Sequence, residues 1–540
     1  MPGSARDLMT EALDLLRGGH AQEGIETLQR TIAAQPDLIE AWGHLAAQMI
    51  AARRHEEAIA CYEQVLRVEP HNVEARWRIG DRLLRLGRLD EAEARYRSAR
   101  DDDPACHDAR CGVTYVEWLR KNVGQVGNLP DEATSPAQAV APPPDDEAIR
   151  ERRDENLTRA REHFQRGDAR LTSLPTHLHI ETTTRCNAAC ITCVKAYVSY
   201  EAEDLRPEVF ERIERDLLPA MHYVNLTGLG EPLLGRGFDR FFDEAVRQGT
   251  RVQLVTNATA LSMARLERFA RRPTDLAASI DGATRDTFES IRRGSRFDGV
   301  IETLRLYKKM RDVYLEAGSK LWINFVALRR NIEELPALVD LAAELGAELI
   351  VVIDFATGAA PPDVAAEHLS RYPELANRMF DEAAECARRH GIVLQLPPKY
   401  PPAAAPGEAA SADRIRAMNR LLPERHRFPQ RCPDPWMAAY ITAGGLVYPC
   451  CGSRRAMGDL NRQAFAEIWN GPRYRRFRRR IRSFLPPLEC RRCTLFWGIN
   501  AGNPGVVQGR EGMLVKLLYA AEESARRFVR RFLNPWRRMA

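Results

Sequence analysis

The stretch HLHIETTTRCNAACITC, residues 177–193, joins a short β-like run, HLHIE, to a loop carrying three cysteines within eight positions. Cys186, Cys190 and Cys193 stand at gaps of four and three. A structural zinc site usually takes four ligands from paired short motifs. A disulfide takes an even number, and cysteines on adjacent turns are poor partners geometrically. Three thiolates on one loop suit a group that accepts three protein ligands and keeps a fourth position open. A four-iron cluster with one iron undressed fits that description.

Downstream, short β-like runs alternate with amphipathic helices. RPEVFERIERDLL (206–218) has Pro207 in its first turn and Val209, Phe210, Ile213 and Leu217 on one face, the pattern of a helix. HYVNLTG, RVQLVTN, DLAASID, LWINFVA and LIVVIDF follow as strands, each separated by a helix. Repeated βα units predict a parallel sheet, closed or partly closed, with its chemistry at the C-terminal ends of the strands. The loops at those ends hold the informative residues. In GLGEPLL (228–234), Gly228 and Gly230 let backbone approach a ligand closely, and Glu231 is a carboxylate suited to an ammonium group. Asn257 sits at the rim after the third strand. Ser279 and Asp281 end the fourth, and Arg292 lies thirteen residues beyond Ser279. Taken singly, a GxGE is often a turn and an SxD a helix cap; their succession on strand ends is the signal.

CxxxCxxC, then GLGEP, then SIDGATRDTFESIR, in this order, resembles the radical S-adenosylmethionine (radical SAM) enzymes over residues 175–355. The resemblance implies a partial (β/α)6 barrel with a [4Fe–4S] cluster on Cys186, Cys190 and Cys193. The amine and carboxylate of S-adenosylmethionine would take the open iron. By the same comparison Gly230 and Glu231 meet the methionine amine, Asn257 belongs to the cofactor rim, and Ser279, Asp281 and Arg292 lie near the ribose or carboxylate. Thr192 departs from the family, where many relatives carry an aromatic residue beside the adenine; Tyr197 is near enough to substitute.

A second group comprises Cys432, Cys450, Cys451, Cys490 and Cys493. By spacing alone a four-cysteine structural zinc is open to it. The text between, AGGLVYPCCGSRRAMGDLNRQAFAEIWNG, resembles the SPASM or twitch extension of radical enzymes over residues 430–500. That resemblance implies one auxiliary [4Fe–4S] cluster on Cys432, Cys450, Cys490 and Cys493, with Cys451 a spare or alternative ligand. Such a cluster accepts an electron from a substrate radical or, with an iron freed, holds the substrate.

At 540 residues the chain has room for two or three domains at roughly 150 residues each. Residues 1–120 repeat with period 34: Pro36, Pro70 and Pro104, with Ala41, Ala75 and Ala109, keep one register. This resembles the tetratricopeptide family, and implies either a docking groove for a partner peptide or a structural or dimerising appendage. Residues 121–150 read as a Pro- and Ala-rich linker, with a helical stretch over 147–168. The expected order is an all-α tetratricopeptide solenoid, an α/β barrel over 170–360, a connection over 361–429, the small iron–sulfur extension over 430–500, and a basic amphipathic helix over 511–534. That last helix allows peripheral membrane contact, though packing on the protein is the commoner fate. The arginine-rich RYRRFRRRIR (473–482) reads as a solvated face or, more sharply, a phosphate or acidic-peptide site.

A net charge of only +5 gives no reason to expect nucleic acid, and clustered thiols without an apolar N-terminal segment point to a reducing, cytoplasmic setting. The predicted protein is an enzyme that reductively cleaves S-adenosylmethionine and abstracts a substrate hydrogen, supplied by a reducing electron donor. A peptide or protein substrate, oxidised or cross-linked, fits the extension and the repeats. A small alcohol or sugar fits single-cluster dehydrogenases, and a non-catalytic redox sensor or scaffold is the alternative of another class. No separate catalytic acid or base stands out.

Overall fold

The computed structural model describes residues 4–122, 147–355, 360–400, 432–453 and 455–482, with Pro487 and Cys490. Cys493, the expected helix 511–534 and most of the linker lie outside the described residues.

The period of 34 becomes three antiparallel helix pairs: α1 (Ala5–Arg17) with α2 (Ala21–Ala34), α3 (Ile39–Ala51) with α4 (His55–Val68), and α5 (Val73–Arg85) with α6 (Leu89–Asp102). A seventh helix, α7 (His107–Asn122), closes the stack. Ala41, Ala58, Ala75, Ala92 and Ala109 are buried where helices cross, which is why the repeat keeps small residues there. A long polar helix, α8 (Glu147–Arg166), follows. Its Arg153 is buried and donates to the carbonyls of Gln248 and Gly249 and to the Thr250 hydroxyl, tying α8 to the barrel.

Six strands run parallel and in chain order: β1 (His177–Ile180), β2 (Tyr223–Leu226), β3 (Arg251–Thr256), β4 (Thr274–Ser279), β5 (Lys320–Ala327) and β6 (Leu349–Asp354). Along each, alternate residues such as Leu178, Ile180, Val224, Leu226, Leu254, Leu276, Ile323 and Ile350 are fully buried in the core. The other face carries His177, His179, Asn225, Gln253 and Asn324, in register across neighbouring strands.

Two additions enlarge the predicted six-stranded unit. β7 (Val393–Gln395) extends β6, and β8 (Ala438–Ile441) joins the opposite edge, parallel to β1, with His177 opposite Ala438. β9 (Leu446–Tyr448) and β10 (Gly458–Asp459) follow antiparallel, giving a ten-stranded sheet. An unclosed barrel leaves the backbone groups of β1 unpaired at its edge, and the C-terminal segment supplies their partner. Among the described residues, no helix is long and apolar enough to cross a membrane.

Candidate active site

The cysteine loop leaves the C-terminal end of β1 and is held against the segment after helix Arg285–Ile291. The Ala189 amide donates to the Arg293 carbonyl at 2.7 Å, and Ile191 to the Ile291 carbonyl at 2.9 Å. Gly294 adopts φ +89°, which favours glycine, and a Cβ there would come within 3.2 Å of the Asn187 carbonyl. Within the loop the three thiols lie close enough for each of Cys186 and Cys193 to raise the pKa of Cys190. Burial is the larger cause; it pushes the Cys190 thiol up to about 11 against the pull of Arg292.

Two donors point at these sulfurs. Arg292 sets a guanidinium nitrogen 3.8 Å from Cys190 Sγ, and Asn257 sets its amide nitrogen 3.9 Å from Cys186 Sγ. Each is fixed from behind. Arg292 pairs with Asp281 at 2.9 Å; that carboxylate is fully buried and also accepts the Val326 amide at 2.7 Å. Asn257 bonds Asn187 at 2.9 Å and accepts the Thr259 amide at 2.9 Å. Burial raises the Asp281 pKa while Arg292 pulls it down. The sequence marks that stand far apart in the chain, Asn257, Asp281 and Arg292, therefore converge on one loop.

Gly228, Gly230 and Glu231 lie beside them with a different geometry. A Cβ on Gly230 would sit 2.2 Å from the Thr183 carbonyl and 2.5 Å from that of Arg185; one on Gly228 would sit 2.4 Å from Glu181 Cγ. The close approach these glycines permit is to the extension of β1. Glu231 is buried and accepts from the Thr256 hydroxyl at 2.6 Å and the Asn257 amide at 2.8 Å. Burial raises its pKa, opposed by these hydrogen bonds. Ser279 ends β4 opposite Asn324. Tyr197 donates its hydroxyl to the Ile191 carbonyl and packs on an apolar cluster of Ile191, Ile291, Leu328, Phe355 and Val364.

Glu181, absent from the sequence reading, joins the two cysteine-bearing regions. It is buried at the end of β1 and accepts the Leu229 amide at 2.7 Å from the glycine loop. From the C-terminal segment it accepts the Tyr440 hydroxyl and the Ala443 amide, each at 3.2 Å. The one available signal was a carboxylate in step with His177 and His179 at the end of an alternating strand.

In the second group, Cys450 and Cys490 each raise the pKa of Cys432, after the larger effect of burial. Cys451, next in the chain to Cys450, acts instead on Tyr440 of the barrel edge. The adjacent arginine helix, Pro472–Ile481, presents Arg473, Arg476 and Arg479 to solvent, the solvated face its composition suggested, but turns one arginine inward. Arg478 is buried and donates to the carbonyls of Pro435, Trp469 and Ala169, its pKa lowered by burial to about 9. Arg482, just beyond, donates to Phe164 in the last turn of α8, where a cation is favoured.

Comparison with known families agrees with this architecture. Residues 180–342 match the radical SAM superfamily, 432–494 the SPASM iron–sulfur cluster-binding domain, and 50–113 the tetratricopeptide repeat. The chain thus has a radical SAM core with a C-terminal SPASM domain and N-terminal tetratricopeptide repeats, a module of peptide or protein partners. Its activity is that of a radical SAM oxidoreductase or maturase.

It is 22% identical over 343 residues to the tungsten-containing aldehyde ferredoxin oxidoreductase cofactor-modifying protein of Pyrococcus furiosus, covering 59% of this chain and 87% of that one. It is 23% identical over 340 residues to the PqqA peptide cyclase of Granulibacter bethesdensis, covering 60% and 82%. The crystal structure of Streptococcus suis SuiB bound to the precursor peptide SuiA aligns with a TM-score of 0.46 and 16% identity, over 75% of this chain and 92% of that one.

Proposed function

We propose that this chain oxidises or cross-links a peptide or protein substrate at a carbon–hydrogen bond, with Cys186, Cys190 and Cys193 holding a [4Fe–4S] cluster that binds S-adenosylmethionine. The carrying observation is the pair of fixed donors, Arg292 and Asn257, aimed at two sulfurs of a strand-end cysteine loop. Thiolates bearing a cluster's negative charge are the acceptors such donors suit, and hydrogen bonds to sulfur tune a cluster's potential. A cluster with S-adenosylmethionine on its open iron supplies a one-electron cleavage that yields a 5′-deoxyadenosyl radical able to remove a hydrogen atom.

The chain's own part is to hold and orient. Asp281 holds Arg292 directed at Cys190. Glu231 ties the glycine loop to the end of β3 and so sets Asn257. The inner face of the sheet, with His179, Asn225, Gln253 and Asn324, offers neutral hydrogen-bonding groups to a substrate. Cys432, Cys450, Cys490 and Cys493 hold an auxiliary [4Fe–4S] cluster. The peptide reading rests on the SPASM domain and on the likeness to a peptide cyclase. A reducing cell interior, which keeps clustered thiols available, and a low-potential electron donor complete it. The test is anaerobic: reconstitution with iron and sulfide, then dithionite and S-adenosylmethionine, with 5′-deoxyadenosine as the readout. Formation that is lost in Cys186→Ala supports the reading, and a colourless protein that takes up zinc overturns it.

A further inference from the structure

In a helix-pair solenoid the first helices of successive pairs line one concave face, the surface such proteins use for extended ligands. Here that row runs through α3, α5 and α7. The barrel helix Phe297–Val313 packs against α5 and α7, and the turn Leu315–Ala317 that follows it touches α3. At the centre is Lys309, fully buried, its Nζ 3.0 Å from Asp81 of α5 and 4.1 Å from the centre of the Trp77 ring. Asp81 is buried too and accepts the Tyr96 hydroxyl at 2.6 Å. Tyr96 reaches it by lying against Gly80 and Gly112, where a Cβ would come within 2.7 and 2.4 Å of the ring.

The neighbouring contacts extend the same surface. Lys308 bridges Asp108 of α7 at 2.9 Å and Asp312 at 2.8 Å. Arg82 of α5 donates to the Asp312 carbonyl. Tyr115 of α7 donates to Glu267 of helix Met263–Ala270 at 2.8 Å, and Arg271 closes on the same carboxylate at 2.7 Å. Charges this deep are tolerated only when paired and hydrogen-bonded. An aspartate below a tryptophan ring is the acceptor a cationic side chain of a bound segment requires, and the barrel supplies that side chain.

We propose that the inner face of the repeats, from α3 to α7, is a recognition surface whose occupant is the chain's own helix Phe297–Val313, anchored by Lys309. The repeats then clamp the catalytic barrel, and a peptide substrate reaches the barrel without docking on that part of the face. An outside partner that used it would have to displace Lys309. The clamped helix begins three residues beyond Gly294, in the segment that holds the cysteine loop, so the clamp steadies the support of the site.

Hydrogen exchange read by mass spectrometry on the full reconstituted chain tests this. Lys309→Met strands Asp81 as a buried, unpaired charge, and amides of α5, α7 and helix Phe297–Val313 are expected to exchange together, at least tenfold faster. The double variant Asp81→Asn/Lys309→Met removes both charges and keeps an acceptor for Tyr96; it is expected to restore most of the protection. Unchanged exchange in Lys309→Met, or acceleration confined to the repeats while the barrel helix stays protected, overturns the proposal. Should Lys309→Met fail to fold, the double variant decides alone: linked, wild-type-like protection of repeats and barrel helix supports the clamp, and independent exchange of the two rejects it.

Discussion

Arg292 shows how the site works at the scale of a residue: one guanidinium neutralises a buried carboxylate on one side and faces a cysteine sulfur on the other. The inner face of the sheet carries the Arg251–Asp275 pair and, on β1, two histidines that burial shifts towards the neutral form. Burial, with His179 beside it, lowers the His177 pKa from 6.5 to about 4, and burial lowers that of His179. The native protein therefore holds His177 uncharged, while the unfolded chain takes up the proton once pH falls below about 6.5. Stability from this residue is complete above that value and is lost as pH falls towards 4, by at most about 1.4 kcal/mol per pH unit. Urea midpoints across this window should fall less steeply for His177→Asn than for the parent; parallel curves would show that His177 titrates normally. Asp281 was legible in the sequence as a strand-end polar residue and Arg292 as the cation thirteen residues beyond Ser279, but their pairing was not. Glu181 was missed because a carboxylate just after the alternating run HLHI looks like the strand's polar boundary, and its partners Leu229 and Ala443 are distant in the chain.

At the scale of elements, local periodicity exposed the six parallel strands and the three helix pairs, since each depends on residues within a few turns. Long-range pairing left no such mark. Nothing in the run AAYI says that it will lie beside HLHI, because the edge of β1 becomes available only after the barrel has been wound. The arginine helix concealed one residue for a related reason: composition does not show that Arg478 finds three carbonyls in a buried corner. The glycine loop between β2 and the helix beginning at Phe238 is the tightest of these joints. Gly230→Ala sets a methyl group 2.2 Å from the Thr183 carbonyl, a backbone atom with no rotamer to escape into. Relief requires the loop to lift away from the extension of β1, taking Glu231 with it, at a cost on the order of 1–3 kcal/mol or more. The expected result is a lower melting temperature and a reduced iron content after reconstitution, whereas Gly43→Ala, inside α3 where a Cβ meets nothing within 4 Å, lowers neither.

Across the whole molecule, one sheet is flanked by both cysteine groups: β1 runs into the first, and β8 and β9 lie between Cys432 and Cys450 of the second. The first loop leaves the C-terminal end of β1. β8 runs parallel to β1 with Ala438 opposite His177, and β9 returns antiparallel with Tyr448 opposite Tyr440, two residues before Cys450. The face of His177, His179, Asn225 and Tyr440 runs across the strands beside them. A substrate bound there would lie beside the first cysteine loop and the strands that flank the second group, an arrangement that suits a net oxidation. The neighbours Cys450 and Cys451 act on different surroundings, Cys450 on Cys432 and Cys451 on Tyr440. Cys450→Ala should therefore cost the reconstituted protein about four iron atoms, one cluster's worth, and abolish product while 5′-deoxyadenosine still forms. Cys451→Ala should keep the iron and shift only the conversion of substrate. Iron analysis of the two variants beside the parent separates these outcomes, and equal loss from both would mean that the two thiols share one cluster.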